Sequence, residues 1–137
     1  MPAYNFMDEF AAAVASGEKP QTIRRKRERP TVPGDMLSLS RYTGQRTPAC
    51  RLLLRVPCAA VTPITIDPWG VQLERKALRY RRGYLPYEDA NEFIHRDGFS
   101  TWSELLVFFR DRYGLPTRGL ELVEWKPEDR EEAPDEA

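Results

Sequence analysis

Lys19, Thr22, Arg24 and Arg25 fall within one short run, Gly17-Glu18-Lys19-Pro20-Gln21-Thr22-Ile23-Arg24-Arg25. A threonine hydroxyl is a weak nucleophile at neutral pH and needs a neighbouring base. A lysine serves as that base when burial or nearby cations lower its pKa. Arg24 and Arg25 supply such cations if they point the same way. On a strand Thr22 and Arg24 share one face, and Ile23 and Arg25 take the other. Thr22 and Arg24 are therefore the pair expected in a cleft. The competing reading is structural, with Lys19 solvated and Thr22 a β-former.

A basic series runs on from this segment. Arg24, Arg25, Lys26, Arg27 and Arg29 are followed by Arg41, Arg46, Arg51 and Arg55, with Tyr42 among them. Cations that track phosphates, with an aromatic ring to stack on a base, make the pattern of an RNA-binding groove. The alternative is a solvated, charged loop. The 21 Lys and Arg residues balance 21 Asp and Glu, yet the charge is segregated. Residues 19–82 hold 15 Lys/Arg against 4 Asp/Glu, and residues 83–137 hold 6 against 14. A local field of that kind attracts polyanions although the total is zero.

At 137 residues, 41% apolar and 31% charged, the chain is read as one domain with its own core. No apolar run approaches the roughly 18–20 residues that span a bilayer. Asp8 and Glu9 interrupt any signal-peptide pattern. A soluble, cytoplasmic protein without a membrane partner is expected. Cys50, Cys58 and the one histidine, His95, cannot complete a zinc set. No metal and no cofactor are expected, and the two thiols are expected reduced and partly buried, with a Cys50–Cys58 disulfide as the alternative. His95, next to apolar Ile94, reads as a helix-surface residue.

The elements that must position these residues follow from periodicity. Asn5–Ser16 is predicted to be a helix capped by Asn5 and stopped by Gly17, with Phe6, Phe10, Ala13 and Val14 on its buried face. Thr22–Arg25 and Met36–Arg41 are predicted strands, the second with Leu37 and Leu39 inward. Tyr42–Pro48 reads as a loop. Cys50–Ile66 carries Pro57 and Pro63, so a bent, bulged strand is preferred to a helix. Val71–Glu74 and Leu78–Arg81 suggest a hairpin. A second helix follows Pro86 and ends at Gly98. Thr101 and Glu104 form a capping box for a third, with Trp102, Leu105, Leu106, Phe109 and Tyr113 as its apolar stripe. Leu120–Trp125 is a final strand, and Pro127–Ala137 is expected to be a disordered acidic tail. Helices do not alternate with strands. The order helix, strands, two helices, strand suits an α+β domain over residues 1–126, with a small curled sheet or barrel flanked by helices.

This arrangement resembles the ASCH domain family, a relative of the PUA-like RNA-binding barrels, over residues 4–125. The likeness rests on the helix leading into Gly17-x-Lys19-x-x-Thr22-x-Arg24. It rests also on the turn Pro33-Gly34-Asp35-Met36-Leu37, on Asp97-Gly98-Phe99 ahead of Trp102-Ser103-Glu104-Leu105, and on the last strand. The resemblance implies a β-barrel whose cleft binds RNA or a modified nucleoside. Some small members resemble amidohydrolases that remove the acetyl group of N4-acetylcytidine. The likeness carries their lysine onto Lys19, their threonine onto Thr22 and their acid onto Asp97, where those enzymes have a glutamate. Asp97 would then orient the lysine or relay a proton to the leaving amine. The Tyr42–Arg82 region is longer than in the smallest of these enzymes. The expected readings are RNA or nucleoside binding at the Lys19–Arg24 cleft, metal-free amide hydrolysis by Lys19, Thr22 and Asp97, or a structural or partner-binding module whose cleft is unused.

Overall fold

The longest element is a strand of 17 residues, Arg51–Asp67 (β4), and every other strand is attached to it directly or through one neighbour. The computed structural model describes residues 2–41, 51–68, 70–73, 76–79 and 87–131. The order of elements is β1 (Ala3–Phe6), α1 (Asp8–Ser16), β2 (Gln21–Arg25), β3 (Met36–Arg41), β4, β5 (Gly70–Leu73), β6 (Lys76–Arg79), α2 (Tyr87–Arg96), α3 (Trp102–Tyr113) and β7 (Thr117–Trp125). The class is mixed α+β, as expected.

β4 pairs antiparallel with β3 through residues 51–57, with β7 through 58–66 and with β5 through 64–67. Its register shifts at Cys58/Ala60 and again at Ile64/Ile66. Bulges bend a strand and increase its twist, and Pro57 and Pro63 withhold ladder donors. The bent, bulged strand expected here is present. β5 and β6 form the expected hairpin, with Val71 opposite Leu78. β2 joins the far side of β7, Gln21 opposite Glu124 through Arg25 opposite Leu120. β1 lies parallel to β3. β1, β2 and β6 are the ends of the branched sheet. The Arg24 side chain of β2 reaches the Asn5 carbonyl of β1, but no backbone ladder joins these two strands among the described residues, so the sheet is not closed into a barrel there.

Phe6, Leu37, Leu39, Val56, Ile66, Leu105, Val123 and Trp125 fill the core at 0–1% exposure. Thr101 caps α3 by accepting from the Glu104 amide at 3.2 Å, as its spacing predicts. Leu105 and Phe109 are the buried centre of that helix's stripe.

Two expectations are corrected. The first helix begins at Asp8, not Asn5, because Ala3–Phe6 is claimed by β3 as a parallel strand. Phe6 fits both a period of 3.6 and the alternation with Tyr4, and strand pairing decides between them. Asn5 is thus a strand residue, and the cap is Met7, which makes no side-chain cap bond. The stretch after Trp125 also stays on the fold at first. Pro127–Asp129 is a 3-10 turn, the Glu131 amide donates to the Arg55 carbonyl at 2.7 Å, and the two side chains pair at 3.2 Å. The remainder of the acidic stretch, 132–137, lies outside the described residues. Among the described residues no helix is long and apolar enough to cross a membrane.

Candidate functional site

α1 stops at Gly17 in the left-handed region (φ 89), and the chain turns back so that the Lys19 amide bonds the Ala13 carbonyl at 3.0 Å. That turn drives Lys19 inward, where it is 3% exposed. Its ammonium donates to the Asp97 carbonyl oxygen at 2.5 Å and lies 3.7 Å from Asp97 Oδ1. The rings of Phe10 and Phe6 flank it at 5.2 and 5.8 Å. Asp97 is 2% exposed at the end of α2, and Gln21 Nε2 donates to its Oδ1 at 3.3 Å. Burial lowers the Lys19 pKa from 10.5; Asp97 opposes that shift and the Arg24 charge adds to it. Burial raises the Asp97 pKa above 3.8, against the pull of Lys19, Gln21 and Arg24. Both groups are pushed toward their neutral forms, which is what desolvation does to a buried pair.

Gly98 is required by this packing. Its φ is +96°, and an added Cβ would lie 2.9 Å from Phe10 Cδ1 and 3.1 Å from Lys19 Cδ. Gly98→Ala is expected to cost about 1–3 kcal/mol, from the left-handed backbone and the forced shift of Lys19. A urea midpoint equal to that of the parent protein would refute this close approach.

Thr22 and Arg24 do share a face of β2. Arg24 Nε donates to Thr22 Oγ1 at 3.0 Å, and a terminal nitrogen donates to the Asn5 carbonyl at 2.6 Å. Its guanidinium stands 4.9 Å from the Phe6 ring. Arg27 repeats the device, donating to the Ala3 carbonyl at 2.8 Å over Tyr4. Arg24 of β2 and Arg27, just past its end, thus bridge to β1 where no ladder does. Because Thr22 Oγ1 accepts from Arg24, its own proton is left for another acceptor.

Lys19, Thr22, Arg24 and Asp97 line one hollow of about 100 Å³, open to solvent and walled by Phe6, Phe10, Phe99 and Phe108. The three expected catalytic residues are therefore brought together. Lys19 makes no hydrogen bond with Thr22 among the described residues; its partner is Asp97. The basic series disperses. Arg25 is exposed and stacks over Tyr113 at 4.9 Å, and Lys26 is exposed on the far side of β7's end, beside Gly119. Arg41 pairs with Asp8 at 2.5 Å, which offsets its charge. Tyr42 and Arg46 lie outside the described residues. His95 is exposed, bonded to the Ser100 carbonyl at 3.2 Å.

Arg112 was not singled out by the sequence. It lines the same hollow, with its guanidinium 4.4 Å from the Phe108 ring. The signal was the i, i+4 spacing of Phe108 and Arg112 on one helix face.

No family model matches the chain, and comparison with curated proteins and with solved structures gives no match. Among the described residues no group of three or more His, Cys, Asp or Glu side chains could hold a metal ion.

Proposed function

We propose that the hollow receives a pyrimidine base, from RNA or from a free modified nucleoside, and that the curled sheet serves as the small barrel of an ASCH-like, PUA-like module. The observation that carries this reading is the meeting of Lys19, Thr22, Arg24 and Asp97, from distant parts of the chain, on one aromatic-walled cavity. Size narrows the ligand. Whole-ligand pockets run to roughly 300–1,000 Å³, and an apolar cavity of about 150 Å³ accepts a benzene ring. A hollow of about 100 Å³ is smaller than either, so, open at its mouth, it would take one edge of a single ring with the rest of the base and the sugar outside. The aromatic walls stack or edge the ring, and the Thr22 hydroxyl and Arg24 guanidinium are donors for a ring carbonyl.

Titration calorimetry with cytidine and N4-acetylcytidine tests this reading. Saturable binding that weakens in Thr22→Val supports it, and absence of binding at millimolar nucleoside ends it.

A second reading is amide hydrolysis, supported by the burial of Lys19 beside the same cavity as Thr22. The Lys19 amine, in its neutral form, would take the Thr22 proton as Oγ1 attacks the acetyl carbonyl. The C–N bond breaks, the amine leaves with a proton, and water then cleaves the threonine ester. Chromatography of N4-acetylcytidine after incubation should show cytidine and acetate with the parent protein and neither with Thr22→Ala. Intact substrate at high enzyme concentration, or full turnover by that variant, removes hydrolysis and leaves binding.

A further inference from the structure

We propose that the mouth of the hollow is an anion subsite built by Arg112 of α3 and Arg24 of β2, so that the preferred ligand carries a phosphate beside its base. This rests on the reading that the hollow takes a base.

The cations on the hollow are Lys19, Arg24 and Arg112, and the one acid among its lining residues is Asp97. Asp97 lies against Lys19 and offsets that charge. Arg24 spends its hydrogen bonds on neutral oxygens, the Thr22 hydroxyl and the Asn5 carbonyl. Among the described residues Arg112 reaches only the Met7 sulfur, at 2.8 Å, and the face of Phe108. A thioether is a weak acceptor. Among the described residues neither guanidinium has a carboxylate partner. Four other arginines do pair with a carboxylate, Arg110 with Asp111, Arg41 with Asp8, Arg96 with Glu124 and Arg55 with Glu131, whereas Arg25 and Arg27 contact a ring or a carbonyl and do not line the hollow. Burial is the main cause that lowers the Arg24 pKa; Tyr113, Asp97 and Tyr4 oppose it, and the Arg112 charge adds to it, so the two guanidinium charges lie within reach of each other. An uncharged nucleoside would leave Arg112 without a counter-charge and Arg24 with only the Asp97 carboxylate it shares with Lys19, beside an aromatic hollow. A phosphate monoester offers oxygens in the geometry that guanidinium forks bind, and each such contact is charge-assisted.

Calorimetry on the full chain, with cytidine, cytidine 5′-monophosphate, ribose 5-phosphate and inorganic phosphate at low and high salt, tests the subsite. The monophosphate is expected to bind at least about tenfold more tightly than cytidine in the parent protein at low salt. That ratio should fall to about one in Arg112→Gln and persist in Arg110→Gln, which removes an equal charge from the same helix. Equal affinities for cytidine and its monophosphate in the parent protein overturn the subsite and leave base binding standing. Loss of the ratio in Arg110→Gln as in Arg112→Gln also overturns it, because a general field would then be the cause. If cytidine does not bind, while the monophosphate and ribose 5-phosphate bind alike and lose affinity in Arg112→Gln, the subsite stands and the base reading falls. Binding of inorganic phosphate alone that ignores Arg112→Gln counts against the subsite.

Discussion

Asp97→Ala is expected to destabilise the protein by about 3–5 kcal/mol, the cost of leaving one member of a buried ion pair without its partner. For a domain of this size that is a fall of about 10–20 °C in Tm. The Lys19 ammonium would lose its carboxylate neighbour at 3.7 Å while staying as buried as before. The double variant Lys19→Met, Asp97→Asn should recover most of the loss, since it removes the charge together with its partner. The deficit of Asp97→Ala should also shrink as pH rises. Burial already holds Lys19 below 10.5, and without the Asp97 carboxylate only the hydrogen bond to the main-chain carbonyl of that residue still favours the charged form. The unfolded chain then binds the proton that the folded chain does not. The lysine's contribution is lost as pH falls through its folded value and is complete above 10.5. Asp97 in the parent protein works in the opposite sense. Its raised pKa gives a contribution complete below 3.8 and lost as pH rises through the folded value. Urea midpoints of the parent and both variants across pH read all of this. A single variant as stable as the parent at neutral pH, or a deficit that grows toward alkaline pH, would refute the buried pair.

Arg24→Met is expected to lower nucleoside affinity on the order of 10²-fold and stability by about 2–4 kcal/mol. Each figure follows from hydrogen bonds to a charged group worth about 1.5–3 kcal/mol. One guanidinium holds the Thr22 hydroxyl, ties β2 to the Asn5 carbonyl and covers the Phe6 ring. Arg24→Lys should restore little, because one ammonium cannot direct planar donors at two acceptors while stacking on a ring. Calorimetry and thermal melting check the two effects separately. Rescue of both by lysine would mean that positive charge alone, and not the planar fork, is what the seam uses.

How far these features could be read beforehand differs by residue. The strands with Leu37, Leu39, Val71 and Leu78 announce themselves through alternation, and α3 through the Thr101–Glu104 cap and its apolar stripe. Both signals are local: they depend on neighbours within one turn or one pleat. Ala3–Phe6 alternates over only Tyr4 and Phe6, too short a run to outweigh a helical period, and these four residues become a strand only when β3 offers its edge. Pro127–Glu131 likewise looks like the start of a polar tail until β4 supplies the Arg55 carbonyl and side chain. Arg112 is one charge on a helix end in the sequence, and acquires meaning when α3 is laid across the hollow beside β2.

The residue types were settled by the sequence: a lysine and a threonine three apart, arginines on the following strand, an acid before Gly98, and the helices and strands that carry them. Their meeting was decided by the tertiary structure alone. Seventy-eight residues separate Lys19 from Asp97, and no local pattern encodes a contact at that distance. It forms because β2 pairs with β7 and Gly98 lets the end of α2 press against Phe10 and Lys19. The same packing expels water from both charges, and that expulsion turns an ordinary lysine and aspartate into a buried pair with perturbed protonation.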